Sequence, residues 1–382
     1  MVRRWADTAG ALLASQVKPS LAVPGITLET GNRPYQLVGV ISPWNFPLLL
    51  GLIDAIPALA AGCAVLIKPS EVTPRFIAPL QATIDRVPVL RDVARVIEGA
   101  GQTGAAMIAL VDTVCFTGSV PTGRVVGAAA AAAFIPAFLE LGGKDPAIVL
   151  AGADLERTSS ALLWGAVSNA GQSCLSIERI YVQEGIHDEL VDRLVAKAEK
   201  VELAWPTVED GVLGPLIDPA QADIIERQLA DAVGKGATVR TGGTIETLGG
   251  GRWIRPTVLT DVDHSMAIMQ EETFGPILPV MAFDTVEAGV ALANDSEYGL
   301  SGAVFGPDVE SAEAIGRRLD VGAVSINDAA LTALIHEGEK NSFRTSGLGG
   351  SRMGPSSIRR FVRRQTLIVN STSTRDPWWH TP

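Results

Sequence analysis

Short, mainly apolar runs separated by stretches of helical periodicity dominate the chain from residue 35 to residue 150. The runs at 35–42, 63–68, 93–97, 113–117 and 137–141 are too short for helices and lack the alternation of a sheet with one wet face, so they read as buried strands. Between them, 48–61, 74–86, 103–110 and the alanine-rich 127–133 suit helices. Strand and helix alternating in this way predicts a parallel, doubly wound sheet. After Lys144 the alternation resumes, with helices over 155–170, 187–204 and 219–233 and strands at 179–183, 277–283, 301–305 and 322–326. The fold class expected is therefore α/β, with two doubly wound domains. A glycine-rich loop at 347–354 and a lone strand at 365–370 follow, the latter an edge in search of a partner. Val2, Trp5, Ala9, Leu12 and Leu13 form a helical stripe with no cap and nothing before it to pack on, so a segment upstream is expected.

Composition agrees with two cores. The 382 residues are 47% hydrophobic and 19% charged, which excludes low-hydrophobicity disorder. A net charge of −11 and a pI near 5.0 argue against a nucleic-acid partner, which needs a basic face. Arg359, Arg360, Arg363 and Arg364 read as a solvated helix face. The apolar stretch at 37–67 is broken by Asn45, Asp54, Pro43, Pro47 and Pro57, so no membrane span is expected. The basic start has no apolar segment behind it, and three cysteines form no disulfide framework, so a cytoplasmic location is expected. No metal-ligand cluster is visible.

One of those cysteines, Cys174, sits among Gly, Gln and Ser, which is poor company for an inert core thiol. Upstream, Glu140 ends an apolar strand just before Gly142 and Gly143, at the carboxyl edge where ligands bind in such sheets. A nucleophile and a general base are thus in view. The alternative for Glu140 is a buried acid paired with Lys144. Gly99, Gly101 and Gly104 match a dinucleotide fingerprint, but no acid falls between Asp112 and Glu140 to hold a ribose in the usual way. The turn Thr117-Gly118-Ser119 offers backbone donors and a hydroxyl to a phosphate, and Lys68 and Glu71 end an earlier strand where they can grip ribose hydroxyls. Asn45, in a rigid turn between Pro43 and Pro47, presents an amide suited either to the turn or to an oxyanion.

Taken together, Pro43-Trp44-Asn45-Phe46-Pro47, Lys68-Pro69-Ser70-Glu71, Phe116-Thr117-Gly118-Ser119, Glu140-Leu141-Gly142-Gly143-Lys144, Gly171-Gln172-Ser173-Cys174 and Glu272-Thr273-Phe274-Gly275-Pro276 resemble, in order and spacing, the aldehyde dehydrogenase superfamily. The resemblance runs from about residue 16 to residue 370. It implies NAD-dependent oxidation of an aldehyde to an acid, with NADP the alternative cofactor. Cys174 would be the nucleophile, Asn45 an oxyanion donor and Glu140 the base that activates water. Lys68 and Glu71 would hold the adenosine ribose, Ser119 a phosphate, and Glu272 and Phe274 the nicotinamide end. Trp44, Ser70, Gly101, Phe116, Gly118 and Leu141 complete the expected cofactor set. Phe46, Leu49, Ile53, Ser168, Ser173 and Leu175 would line an apolar funnel for medium aliphatic or aromatic aldehydes.

The resemblance also implies a layout. Residues 1–15 and 35–142 would form the NAD-binding domain, 143–345 the catalytic domain, 346–361 a return to the first, 16–34 and 362–371 the oligomerisation strands, and 372–382 a tail. A homodimer or dimer of dimers is expected. Three departures stand out. Roughly a hundred N-terminal residues usual in the family have no counterpart, Ser351 and Arg352 stand where a relay glutamate is common, and the substrate loop is replaced by the longer 328–343 with His336, Glu337, Glu339 and Lys340. The competing functions are a CoA-acylating aldehyde dehydrogenase and a truncated pseudoenzyme serving as an assembly partner.

Overall fold

A computed structural model describes residues 2–371 of the chain; the expected tail at 372–382 lies outside the described residues. The described chain divides into two compact units, residues 2–117, 125–138 and 352–371 in one and 118–124 and 139–351 in the other. The bounds differ from those expected: the chain first leaves the first unit at Thr117 rather than at Gly142, and returns at Arg352 rather than at 346.

In the first unit, strands run in the order Ala137–Glu140, Thr113–Thr117, Leu37–Ile41, Ala64–Lys68 and Ala94–Val96. The central pairs are parallel, as the buried runs predict. Val38, Val40, Val65 and Ile67 are buried beneath helix Ala55–Ala60 and the turn Pro355–Phe361. Helix Val2–Leu12 packs on both, with Trp5 and Ala9 buried, so the stripe finds its neighbour downstream in the chain. The single helix expected over 48–61 is two, Pro47–Leu52 and Ala55–Ala60. Pro57 has no N–H to donate to the carbonyl of Ile53, and its ring opposes a continuous helix there. Between the two helices, buried Asp54 meets Arg352 and Arg360 at 2.7 Å each. Burial pushes the Asp54 carboxyl up, but the two guanidiniums more than reverse this and hold it at about 2. A separate antiparallel sheet joins Gln16–Pro19, Ile26–Pro34 and Val362–Asn370.

The second unit carries seven strands in the order Thr238–Thr241, Thr257–Thr260, Ile277–Phe283, Ile177–Gln183, Asp145–Val149, Ser301–Phe305 and Ala323–Ile326. All neighbours are parallel except the first pair. Successive residues feed opposite faces. Ile148 joins the core under Pro219–Gly234, Val286–Asn294 and Val309–Gly316, while Ala147 and Val149 join the one under Leu155–Val167 and His187–Ala198. Leu139 and Glu140, at the end of the strand by which the chain enters this unit, pair antiparallel with Gly347–Leu348. Among the described residues, no helix is long and apolar enough to cross a membrane.

Candidate active site

The approach to Cys174 is wound tightly. Helix Leu155–Val167 stops at Ser168, and Asn169, Ala170 and Gly171 all take positive φ, at 55°, 57° and 71°. Such backbone is costly for Asn and Ala and persists only where its surroundings enforce it. Gly171 is required because a Cβ there would strike the backbone of Gly275. Gln172 locks the turn, donating to the Asn169 carbonyl at 3.2 Å and accepting from the Ile217 N–H at 2.9 Å. Cys174 then stands half-buried ahead of strand Ile177–Gln183, with Ser173 and Leu175 equally half-exposed beside it.

Glu140 arrives by a second route. Its strand ends in Gly142-Gly143, and a Cβ on Gly143 would lie 2.5 Å from the Cys174 carbonyl oxygen and 2.9 Å from Asp145 Oδ1. Only glycine lets the two segments lie that close. Glu140 stands near enough for its charge to act on the Cys174 thiol, and the Ser342 hydroxyl donates to Glu140 Oε2 at 2.7 Å. Lys144 does not pair with Glu140. It is buried against Glu178 at 2.7 Å and also donates to Thr273 Oγ1 at 2.7 Å.

That buried pair holds the third motif in place. Glu178 accepts from the N–H groups of Thr273 at 2.7 Å and Phe274 at 2.8 Å, which keeps Phe274 at a φ of 53°. Arg179 donates to the Lys144 carbonyl at 2.8 Å and the Ala293 carbonyl at 2.9 Å. Glu272 turns back to accept from the Gly143 N–H at 3.0 Å. Sequence reasoning missed Glu178 and Arg179, although both follow Cys174 directly on an otherwise apolar strand.

The electrostatics are those of a desolvated pocket. Burial pushes the Cys174 thiol up to about 12; Lys340 opposes the shift, while Glu272, Asp145 and Glu140 add to it. Burial likewise raises Glu272 to about 8, with Glu178 adding to the rise. Asp145 is raised to about 7 by burial, although Ser301 donates to it through both hydroxyl and N–H.

The other expected residues are divided between the two units. Asn45 and Trp44 occupy the turn after Leu37–Ile41, and the Trp44 carbonyl accepts from the Thr73 hydroxyl at 3.3 Å, tying that turn to the one carrying Ser70 and Glu71. Lys68, its side chain 5% exposed, reaches Glu71 at 3.0 Å, and a Cβ on Gly104 would lie 3.7 Å from the Lys68 stem. Gly101 opens helix Gly101–Ile108, and open space surrounds the position a Cβ there would take. A buried ammonium, an exposed carboxylate and the uncovered start of a helix fit a ligand with sugar hydroxyls and phosphates. Gly118 and Ser119 are accessible, with Ser119 Oγ 3.1 Å from Thr122 Oγ1, whereas Phe116 and Leu141 are buried strand-end side chains. In the expected funnel, Leu49 is exposed, Phe46 and Ser168 are half-exposed, and Ile53 is buried with Phe46 packed against its cluster. It is 5% exposed, in a core cluster with Leu50 and Met353.

Fold and site define a two-unit, doubly wound α/β protein with a thiol and a carboxylate on the segments that lead into two parallel strands of the second unit's sheet. The model of the aldehyde dehydrogenase family matches residues 1–367, and the chain belongs to that family. It is 43% identical over 312 residues to a 4,4'-diapolycopene aldehyde oxidase from a Methylomonas species, covering 80% of this chain and 57% of that protein. The solved structure of a putative aldehyde dehydrogenase, PutA, from Anabaena variabilis superposes with a TM-score of 0.97 at 58% identity, over 99% of this chain and 81% of that one. Betaine aldehyde dehydrogenase from Staphylococcus aureus, solved in complex with NAD+, gives a TM-score of 0.90 at 32% identity, over 100% and 76%.

Proposed function

We propose that the chain oxidises an aldehyde to a carboxylic acid with NAD as acceptor, consuming one water and yielding NADH and a proton. The observation that carries this reading is the packing of Gly142-Gly143 against the Cys174 carbonyl, with Glu140 held by Ser342 beside the same thiol. Cys174, as thiolate, attacks the aldehyde carbon, and its own N–H and the Asn45 amide donate to the oxyanion that forms. Lys68, Glu71, Gly101 and Ser119 would hold NAD through its ribose and phosphates, and Glu272 and Phe274 its nicotinamide end. Bound there, the cofactor supplies the acceptor for the hydride removed from the aldehyde carbon. The acyl group is left as a thioester on Cys174. Glu140 takes a proton from water, the hydroxide adds to the thioester carbonyl, and the carbon–sulfur bond breaks to release the acid and the thiolate.

Phe46, Leu49, Ser168, Ser173 and Leu175 suit medium aliphatic or aromatic aldehydes. The test is NADH formation across an aldehyde panel, with and without CoA. Turnover without CoA supports hydrolysis, and strict dependence on CoA would sink it. A preference for short acidic semialdehydes would overturn the substrate class. A dimer or dimer of dimers in the cytoplasm completes the reading; its support is the sheet of Gln16–Pro19, Ile26–Pro34 and Val362–Asn370, where Leu367, Ile368 and Val369 are exposed.

A further inference from the structure

Three contacts fix residues 340–342 beside Glu140. The Lys340 N–H donates to Ser351 Oγ at 2.9 Å. The Asn341 carbonyl lies directly on Gly322, where any side chain would strike it. The Ser342 hydroxyl bonds Glu140. Lys340 is therefore two residues from the group that holds the proposed base, on backbone that cannot swing away without breaking these contacts. Its side chain is half-buried rather than extended into solvent.

Charge explains what a lysine does there. Of the charges that act most strongly on the Cys174 thiol, Lys340 is the cation, set against Glu272, Asp145 and Glu140. Three carboxylates and a buried sulfur make a hostile setting for a thiolate, and in a half-buried pocket one ammonium acts far more strongly than it would in water. Asp145, the other group that Lys340 acts on, is held by Ser301 and is partly protonated near neutral pH.

We propose that Lys340 is the counter-charge of the Cys174 thiolate, so that the thiol releases its proton to solvent and the sulfur anion is retained beside the ammonium. The loop at 328–343, which departs from the family pattern, then does more than cover the site: it carries the cation that makes the nucleophile reactive. Lys340 acts through Cys174 and is a positioning residue. The inference deepens the proposed dehydrogenase reading, since the thiolate is the attacking species, but its test needs no substrate.

The full chain is treated with iodoacetamide across a pH series, and alkylation of Cys174 is followed by peptide mass spectrometry, which sets Cys63 and Cys115 apart. For Lys340→Gln the midpoint moves upward, and at about pH 8 alkylation slows about tenfold, the effect of one pKa unit. Lys340→Arg, which keeps the charge, stays within about twofold of wild type on the same scale. Iodoacetate, itself an anion, loses more than iodoacetamide in Lys340→Gln. Lys340→Met is read in the same way should Lys340→Gln melt early. A Lys340→Gln profile that superimposes on wild type overturns the proposal, and so does a Lys340→Arg variant as slow as Lys340→Gln. Variants that show these shifts, in a protein whose wild type makes no NADH from any aldehyde, keep the inference and sink the dehydrogenase reading. An active enzyme with unshifted profiles does the reverse.

Discussion

Cys174 and Glu140 declared themselves in the sequence because each stands in company that its residue type does not choose for packing: a thiol among Gly, Gln and Ser, and an acid closing an apolar strand. Lys340, Ser342 and Glu178 did not. The first two reach the thiol and the base only because a loop folds back from far along the chain, and a charge on a loop is indistinguishable in sequence from a solvated one. The burial of Ile53 was hidden for a related reason, since helical spacing puts it on a face with Leu49 but says nothing of Met353 arriving to cover it. The pocket's acids carry a prediction of their own. Asp145 and Glu272 are raised to about 7 and about 8, above their unfolded values of 3.8 and 4.5, so their contribution to stability is complete in acid and is lost as pH rises through the folded values. Thermal unfolding of the wild type therefore drops between about pH 5 and about pH 8, by a few degrees on the scale usual for ~1 kcal/mol. Asp145→Asn, which cannot ionise, shows a shallower drop; an equal slope in the two proteins would contradict the assignment.

At the scale of elements, the parallel strands of the first unit and the long helices of the second were legible, because buried apolar runs and amphipathic stripes record their surroundings directly. Strand Asp145–Val149 was not: it opens with Asp-Pro, which reads as a turn, and Asp145 is held by a serine on a strand far along the chain. Nor were the short strands Thr238–Thr241, Ile245–Leu248, Gly251–Ile254 and Thr257–Thr260, which lie amid glycines and carry little period. A buried ion pair and a buried ion triad brace elements that bear functional motifs. In the second unit Lys144–Glu178 supports the Glu272–Phe274 turn, and Glu178→Gln leaves an uncompensated buried ammonium, a loss of ~3–5 kcal/mol to be read in urea unfolding. A loss under about 1 kcal/mol would show that the pair is dispensable. In the first unit Asp54, held at about 2 against an unfolded 3.8, contributes stability that is present above about pH 4 and disappears as pH falls towards 2. Asp54→Asn removes that acid-side dependence and lowers stability near neutral pH. The same contact accounts for Arg352, one of the two residues standing where the family's relay glutamate is common: its guanidinium is committed to Asp54 and Thr117.

For the whole molecule, the proposed reading commits to a cofactor as well as to a nucleophile and a base. Glu71 is exposed and pairs with Lys68, and a carboxylate at that position repels a 2′-phosphate. Catalytic efficiency is expected to favour NAD over NADP by about tenfold or more, equivalent to ~1.4 kcal/mol, and equal efficiency with the two would contradict the role given to Glu71. The most direct test of the central proposal separates the two half-reactions that Cys174 and Glu140 divide between them. In Glu140→Gln mixed rapidly with aldehyde and NAD, NADH should appear in a burst matching the concentration of active sites and then nearly stop, with the acyl group recovered on Cys174. Steady turnover at the wild-type rate, or a burst that survives Cys174→Ala, would contradict it.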